Sequence, residues 1–256
     1  MILDGGRKAI TMCLCKRPEY TRRVLDHLSR CEGIEDYYLI ARVEPGCDLT
    51  YEAVRSISFC ERRVTLNPER YGCNRNTISA IDDGFAAGAS FVVHVEDDIL
   101  LGPDALRYFE HASAAYLGDP RVMSATAYNR VQVLPATPEW SVVRRRRWYH
   151  GWGWGIWRDR WERYRGRIAD PAKTWDVWLN ECRDSDGLFE VYPTLSRSQN
   201  IGRVSTIHKH LKPEWFDENH TVRFWSGQLD PGELDRVVGY VGRPAVFVEP
   251  RESREQ

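Results

Sequence analysis

Hydrophobic runs and amphipathic stretches alternate along the first half of the chain. KAITMCLCKR, residues 8–17, is largely apolar and predicts a buried strand ending near Lys16. PEYTRRVLDHLSRC follows, with Val24, Leu25 and Leu28 on one helical face and Pro18 suited to a first turn. The rhythm then repeats. YYLIARVEPG reads as a strand stopped by Pro45-Gly46, and LTYEAVRSIS as a helix. RRVTLNPERYG reads as a short strand and turn, and NRNTISAIDDGFAAG as a helix ending at Gly88. FVVHVEDD predicts the third main strand, and PDALRYFEHASAAYLG a helix with Asp104 in its acidic first turn. Such alternation from residue 8 to about 118 predicts an α/β fold, a mostly parallel sheet with helices on both faces. Ligands of such sheets bind beyond the carboxyl ends of the strands. No Gly-x-Gly-x-x-Gly follows the first strand, which argues against a dinucleotide fold of the dehydrogenase kind.

After residue 122 the pattern changes. RVMSATAYN predicts one more strand, and KTWDVWLNEC a helix start. Between them, RRRRWYHGWGWGIWRDRWERYRGRI interleaves arginines, glycines and aromatics. FEVYPTLSRSQNIGRVSTIH carries a strand and then a polar loop.

Composition narrows the class. With 256 residues and 42% hydrophobic content the chain can build a full core. A net charge of -1 argues against a general nucleic-acid binder. No apolar run reaches membrane-spanning length and the N-terminus lacks a signal-peptide pattern. Seven cysteines without a Cys-x-x-Cys pair read as reduced thiols. The expected location is therefore cytoplasmic, with peripheral membrane contact left open. Ten tryptophans, most of them between Trp148 and Trp178, concentrate aromatic surface in one region.

The candidate chemistry lies where FVVHV runs into Glu96, Asp97 and Asp98. Like charges packed at a buried strand end repel and raise one another's pKa unless a cation joins them. A hard divalent ion, Mn²⁺ or Mg²⁺, removes that penalty. Strand alternation would put Glu96 and Asp98 on one side and Asp97 on the other. A metal there suits a diphosphate leaving group, as in a nucleotide sugar, whose charge grows as its bond breaks. The attacking hydroxyl then needs a base across the anomeric carbon.

These segments together resemble the GT-A glycosyltransferases, and most closely the N-acetylglucosaminyltransferase I family, over residues 9–220. CKR at 15–17 is similar to the family's Cys-Asp-Arg, RVEPG to its uracil-holding segment, and VVHVEDDILLGPDALRYF to its Val-Glu-Asp-Asp segment. GWGWGIWRDRW, TWDVWLN and YPTLSRSQNIGRVSTIH match later pieces in order. The resemblance implies a GT-A type, Rossmann-like sheet. Residues 1–122 would form the nucleotide-sugar-binding half, and 123–256 the acceptor-binding and catalytic half of the same domain. It implies Asp98 as the metal ligand, Asp176 as catalytic base and Glu44 at the uracil. Arg17 would meet the nucleotide, Glu96 and Asp97 the ribose and sugar, and His208 would end the loop closing over the donor. Lys16 and Val177 stand where the family has acids.

Each residue also has a plainer reading. Asp176 is compatible with a helix cap, although Trp175 and Trp178 beside it would desolvate a base. Arg17 fits a helix-face ion pair as well as a phosphate. Trp152 and Trp154 fit a sugar-stacking floor, with at least one ring expected in the core. Arg197 and Arg203 flank the polar loop and would suit a diphosphate, while Arg144–Arg147 read as a solvated or paired run. The expected function is metal-dependent, inverting transfer of a sugar, first an N-acetylhexosamine, from a UDP-sugar to a glycan, glycolipid or small-molecule acceptor. The alternatives are a nucleotide-sugar-forming nucleotidyltransferase and a non-enzymatic carbohydrate-binding module.

Overall fold

The computed structural model describes residues 6–129, 142–167 and 173–202. Its first half follows the expected rhythm: β1 (Lys8–Leu14), α1 (Pro18–Leu28), β2 (Tyr37–Val43), α2 (Asp48–Arg55), β3 (Glu61–Leu66), α3 (Gly72–Ala86) and β4 (Phe91–His94). Then come β5 (Ile99–Leu101), α4 (Ala105–Ala115), β6 (Val122–Thr126), β7 (Val143–Arg146), β8 (Trp154–Trp157), α5 (Arg158–Arg165), α6 (Trp175–Ser185), β9 (Phe189–Pro193) and β10 (Ser198–Asn200). The main sheet has eight strands in the order β3-β2-β1-β4-β8-β6-β9-β7. β1 to β4 are parallel, so their carboxyl ends share one rim. β8 runs antiparallel between β4 and β6, β9 is parallel to β6, and β7 closes the edge antiparallel to β9. β5 and β10 pair apart as a two-stranded ribbon.

The period of two along each strand sorts its side chains between two cores. Ile10, Met12 and Leu14 face one side with Leu39, Ala41 and Val43, and α1, α2 and α4 cover them with Val24, Leu28, Val54 and Phe109. Ala9, Val92 and Ile156 face the other, under Ile81 and Phe85 of α3, Trp161 of α5 and Leu179 of α6. Each fully buried Leu, Ile or Met contributes about 1.5–3 kcal/mol. Two cores on opposite faces are what a doubly covered sheet requires.

The basic run at 144–147 belongs to β7 and its end, and it is partnered. Arg144 donates to Thr194 Oγ1 at 3.3 Å, Arg145 pairs with Asp119 at 2.8 Å, and Arg146 pairs with fully buried Glu190 at 2.7 Å. Arg147 lies over the Phe189 ring. Burial still pushes the Glu190 carboxyl up to about 7 against the pull of Arg146. All seven cysteines are free thiols. Among the described residues no helix is long and apolar enough to cross a membrane.

Candidate active site

β4 ends at His94, earlier than continued alternation through the acids would require. A turn follows, with the Ile99 amide donating to Glu96 O at 3.2 Å. This turn overrides the alternation expected of the triplet, and Asp97 and Asp98 both meet Arg17. The Arg17 guanidinium donates through Nε to Asp97 Oδ2 at 3.1 Å and through Nη1 to Asp98 Oδ2 at 2.7 Å, and Nη2 closes on Asp97 Oδ1. Asp97 is 4% and Asp98 8% exposed. Arg17 reaches them because Lys16, just past β1, takes a left-handed φ of 49°. That conformation costs a non-glycine residue about 1–2 kcal/mol. The Lys16 amide is held there by Cys47 Sγ at 3.3 Å.

One guanidinium does not balance this corner. Burial and the charge of Asp98 push the Asp97 carboxyl up to about 7, although Arg17 pulls it down. Glu96, half-buried, is raised well above the carboxylate range, first by desolvation and then by Asp98, Asp97 and Asp176. Asp176 therefore lies within electrostatic range of the triplet. It contributes likewise, behind burial and Glu96, to raising the Cys73 thiol to about 12.

Asp176 occupies the first turn of α6. Two devices fix that turn. The Trp175 ring stacks on Trp154 at 5.5 Å and 16°, and meets His94 and Tyr149 edge-on. The absence of a side chain at Gly151 makes room, since a Cβ there would stand 2.7 Å from the Trp175 ring. The second device is Asn74 of α3, whose amide accepts from the Trp175 N–H at 2.9 Å and donates to Lys173 O at 2.7 Å. Asp176 itself is exposed, so the desolvation expected from its flanking tryptophans does not arise: Trp175 turns into the core.

The remaining candidates divide. Glu44 is at the same rim but buried, accepting the Tyr71 amide at 3.0 Å and the Gly72 amide at 2.7 Å. A carboxylate at a helix start is favourable in its own right. Trp154 is 0% exposed and offers no surface to a sugar, whereas Trp152 is half-buried against Tyr128 and His150. Arg197 is taken out of solvent by a buried ion pair with Asp104, both donors reaching Oδ2 at 3.2 Å. Asp104 is accordingly the N-cap position of α4 and buried, one residue before the first turn in which the sequence placed it. Arg203 and His208 lie outside the described residues. Sequence reading overlooked Asn74, which resembles any polar residue at a helix start, and Gly202. A Cβ at Gly202 would overlap the Asp98 carboxylate and sit 2.9 Å from its Cγ. A glycine soon after a strand carries no such signal by itself.

The donor set suits a hard divalent cation that arrives with its own oxygen ligands. Among the described residues no group of three or more His, Cys, Asp or Glu forms a complete cage. One or two carboxylates plus phosphate oxygens and water are the usual arrangement for such ions at nucleotides. Arg17 occupies Asp98 Oδ2, and no hydrogen bond among the described residues reaches Asp98 Oδ1.

The fold is of the GT-A glycosyltransferase type. It matches a mannosyltransferase from Pyrobaculum calidifontis, solved with GDP-Man and Mn²⁺, at a TM-score of 0.56 and 15% identity, over 93% of this chain and 70% of that one. Residues 8–220 match the GNT-I family, and the chain belongs to it. It is 27% identical over 222 residues to an Arabidopsis thaliana alpha-1,3-mannosyl-glycoprotein 2-beta-N-acetylglucosaminyltransferase, covering 78% of this chain. The chain spans about half the length of that relative, 49%.

Proposed function

We propose that this protein is an inverting glycosyltransferase that moves a sugar from a UDP-sugar to an acceptor hydroxyl, with a divalent cation on the donor diphosphate. The observation that carries the reading is the excess of negative charge among the described residues: three carboxylates stand at the end of β4, one guanidinium pairs with Asp97 and Asp98, and the charge of Asp176 acts on Glu96. Family membership and the N-acetylglucosaminyltransferase named among its relatives favour an N-acetylhexosamine as the sugar.

Asp98 would hold the metal, and Arg17 keeps Asp97 and Asp98 together. Glu96 and Asp97 orient the ribose and sugar, and Glu44 fixes the rim on the nucleobase side. A bound Mn²⁺ or Mg²⁺ supplies Lewis-acid neutralisation of the departing diphosphate. Asp176 accepts the acceptor's proton as the acceptor oxygen bonds the anomeric carbon. The carbon–oxygen bond to the diphosphate breaks on the opposite face, which inverts the configuration. Trp152 lies on the sugar side. The acceptor is a glycan, glycolipid or small hydroxylated molecule.

The test is a thermal-shift titration with UDP, GDP and Mn²⁺, followed by transfer and donor-hydrolysis assays on Asp176→Asn. UDP with Mn²⁺ should raise the melting temperature more than either alone, and Asp176→Asn should lose turnover while keeping that shift. A response to GDP alone would overturn the donor base, and full turnover by Asp176→Asn would overturn the catalytic assignment. Binding of glycan without nucleotide or metal would favour a carbohydrate-binding module. Formation of UDP-sugar from UTP and a sugar phosphate would favour a nucleotidyltransferase.

A further inference from the structure

The start of α6 lacks a cap of its own. Thr174 is the N-cap residue, and its side chain makes no capping bond. The first amides of a helix have no partner within it, and a helix end without partners for them frays. Here the partner comes from another helix. Asn74 of α3 accepts from the Trp175 amide at 2.9 Å and donates to the Lys173 carbonyl at 2.7 Å. The two bonds straddle Thr174 and run in opposite directions. Together they fix both the position of the α6 start and its rotation about its axis, which a single bond would not do.

α3 is itself anchored at this point. Glu44, just past β2, takes the Tyr71 and Gly72 amides that open α3, and Thr77 Oγ1 lies 3.1 Å from Cys13 Sγ of β1. Short polar contacts therefore tie the ends of two parallel strands to the first two turns of α3, and Asn74 carries the connection on to the residue before Asp176.

We propose that Asn74 is a positioning residue for Asp176, setting where its carboxylate meets the acceptor hydroxyl. This rests on the reading of Asp176 as the base. Asp176 is exposed, and no hydrogen bond of its side chain among the described residues holds it, so its placement is inherited from the backbone that Asn74 pins beside the Trp175 stack. A misplacement of about 1 Å at a reacting group costs roughly 100-fold in rate.

The experiment compares Asn74→Ala, Asp176→Asn and the double variant, using Mn²⁺-dependent hydrolysis of UDP-N-acetylglucosamine with water as acceptor. Asn74→Ala should lower kcat roughly 10- to 100-fold while donor KM and the UDP–Mn²⁺ thermal shift stay within about twofold. It should add no further loss to the residual turnover of Asp176→Asn. Hydrogen exchange, which needs no substrate, should show the Trp175 amide losing protection in Asn74→Ala. Asn74→Asp keeps the bond to that amide and serves if alanine prevents folding. It places a negative charge near Asp176, so the acid limb of its kcat–pH profile should move to higher pH.

A kcat within about twofold of wild type for Asn74→Ala, equal losses with and without Asp176, or unchanged exchange at Trp175 would each overturn the proposal. An unmoved acid limb in Asn74→Asp would do the same. If Asp176→Asn keeps its turnover, the base assignment fails and takes this inference with it. If Asp176→Asn is inactive while Asn74→Ala is normal, only the role of Asn74 is lost.

Discussion

Replacing Arg197 with methionine isolates the cost of one buried charge. Its guanidinium is 1% exposed and meets an Asp104 that is 2% exposed, with the two Arg–Asp bonds at 3.2 Å and a third donor on Leu195 O at 2.6 Å. Asp104 Oδ1 is already buried without a hydrogen bond, and among the described residues no other salt bridge reaches this carboxylate. Removing one partner of such a pair costs about 3–5 kcal/mol, because the other charge stays behind. For a chain of this size that is a fall in melting temperature of about 6–20 °C. The pH dependence follows from the sign of the shift. Burial already raises the Asp104 carboxyl, and Arg197 is what holds it down. In Arg197→Met it climbs further, so folding takes up a proton, and the deficit against wild type shrinks as pH falls toward the ordinary carboxylate range. Asp104→Asn added to Arg197→Met should recover most of the loss at neutral pH. Scanning calorimetry across pH, with the UDP–Mn²⁺ shift as control, reads all of this. A drop under about 3 °C, a deficit that does not vary with pH, or no recovery in the double variant would refute the argument. Loss of nucleotide binding from an otherwise stable variant would return Arg197 to the diphosphate.

Two further substitutions probe the acid corner. The Asp97 carboxyl is raised from 3.8 to about 7, so its ionised form costs stability that is absent below the lower value and fully present above the higher one. Asp97→Asn should match wild type in acid and exceed it by up to about 4 kcal/mol above neutral pH, as chemical denaturation at the two pH values would show; equal stability at both would contradict the shift. Gly202→Ala drives a Cβ into the Asp98 carboxylate. It should weaken the Mn²⁺-dependent thermal shift with nucleotide by at least ~10-fold in apparent affinity, and an unchanged titration would show that Asp98 can move aside.

The βα series was legible because each of its elements has a clear period. Val24, Leu25 and Leu28 do line one face of α1, and Ile10, Met12 and Leu14 one face of β1. The place of the acid triplet just past a strand was legible from the apolar run FVVHV before it, while its chemistry was open between a ligand site and a solvated loop that favours helix capping. Among the later strands, β6 and β9 were legible in RVMSATAYN and FEVYP, whereas β5, β7, β8 and β10 were not. β8 is Trp154–Trp157, a four-residue piece whose pairing with β4 and β6 is set by partners distant in sequence. β5 and β10 are three residues each, too short for any period. The contacts that define the site escaped for the same reason. Arg17 and Asp97 are 80 positions apart, and Asn74 and Trp175 are 101 apart. Trp152 and Trp154 share one spacing pattern, yet only packing against Trp175 decides which is core.

The position of β8 bears on how the two halves of the sheet can move. It is hydrogen-bonded on one side to the strand that leads into the acid triplet and on the other to β6, so the two halves of the sheet are woven into a single fabric. Jaws of that kind do not swing apart on a pivot without tearing two ladders at once. The strands on either side of β8 therefore shift together, as threads of one cloth.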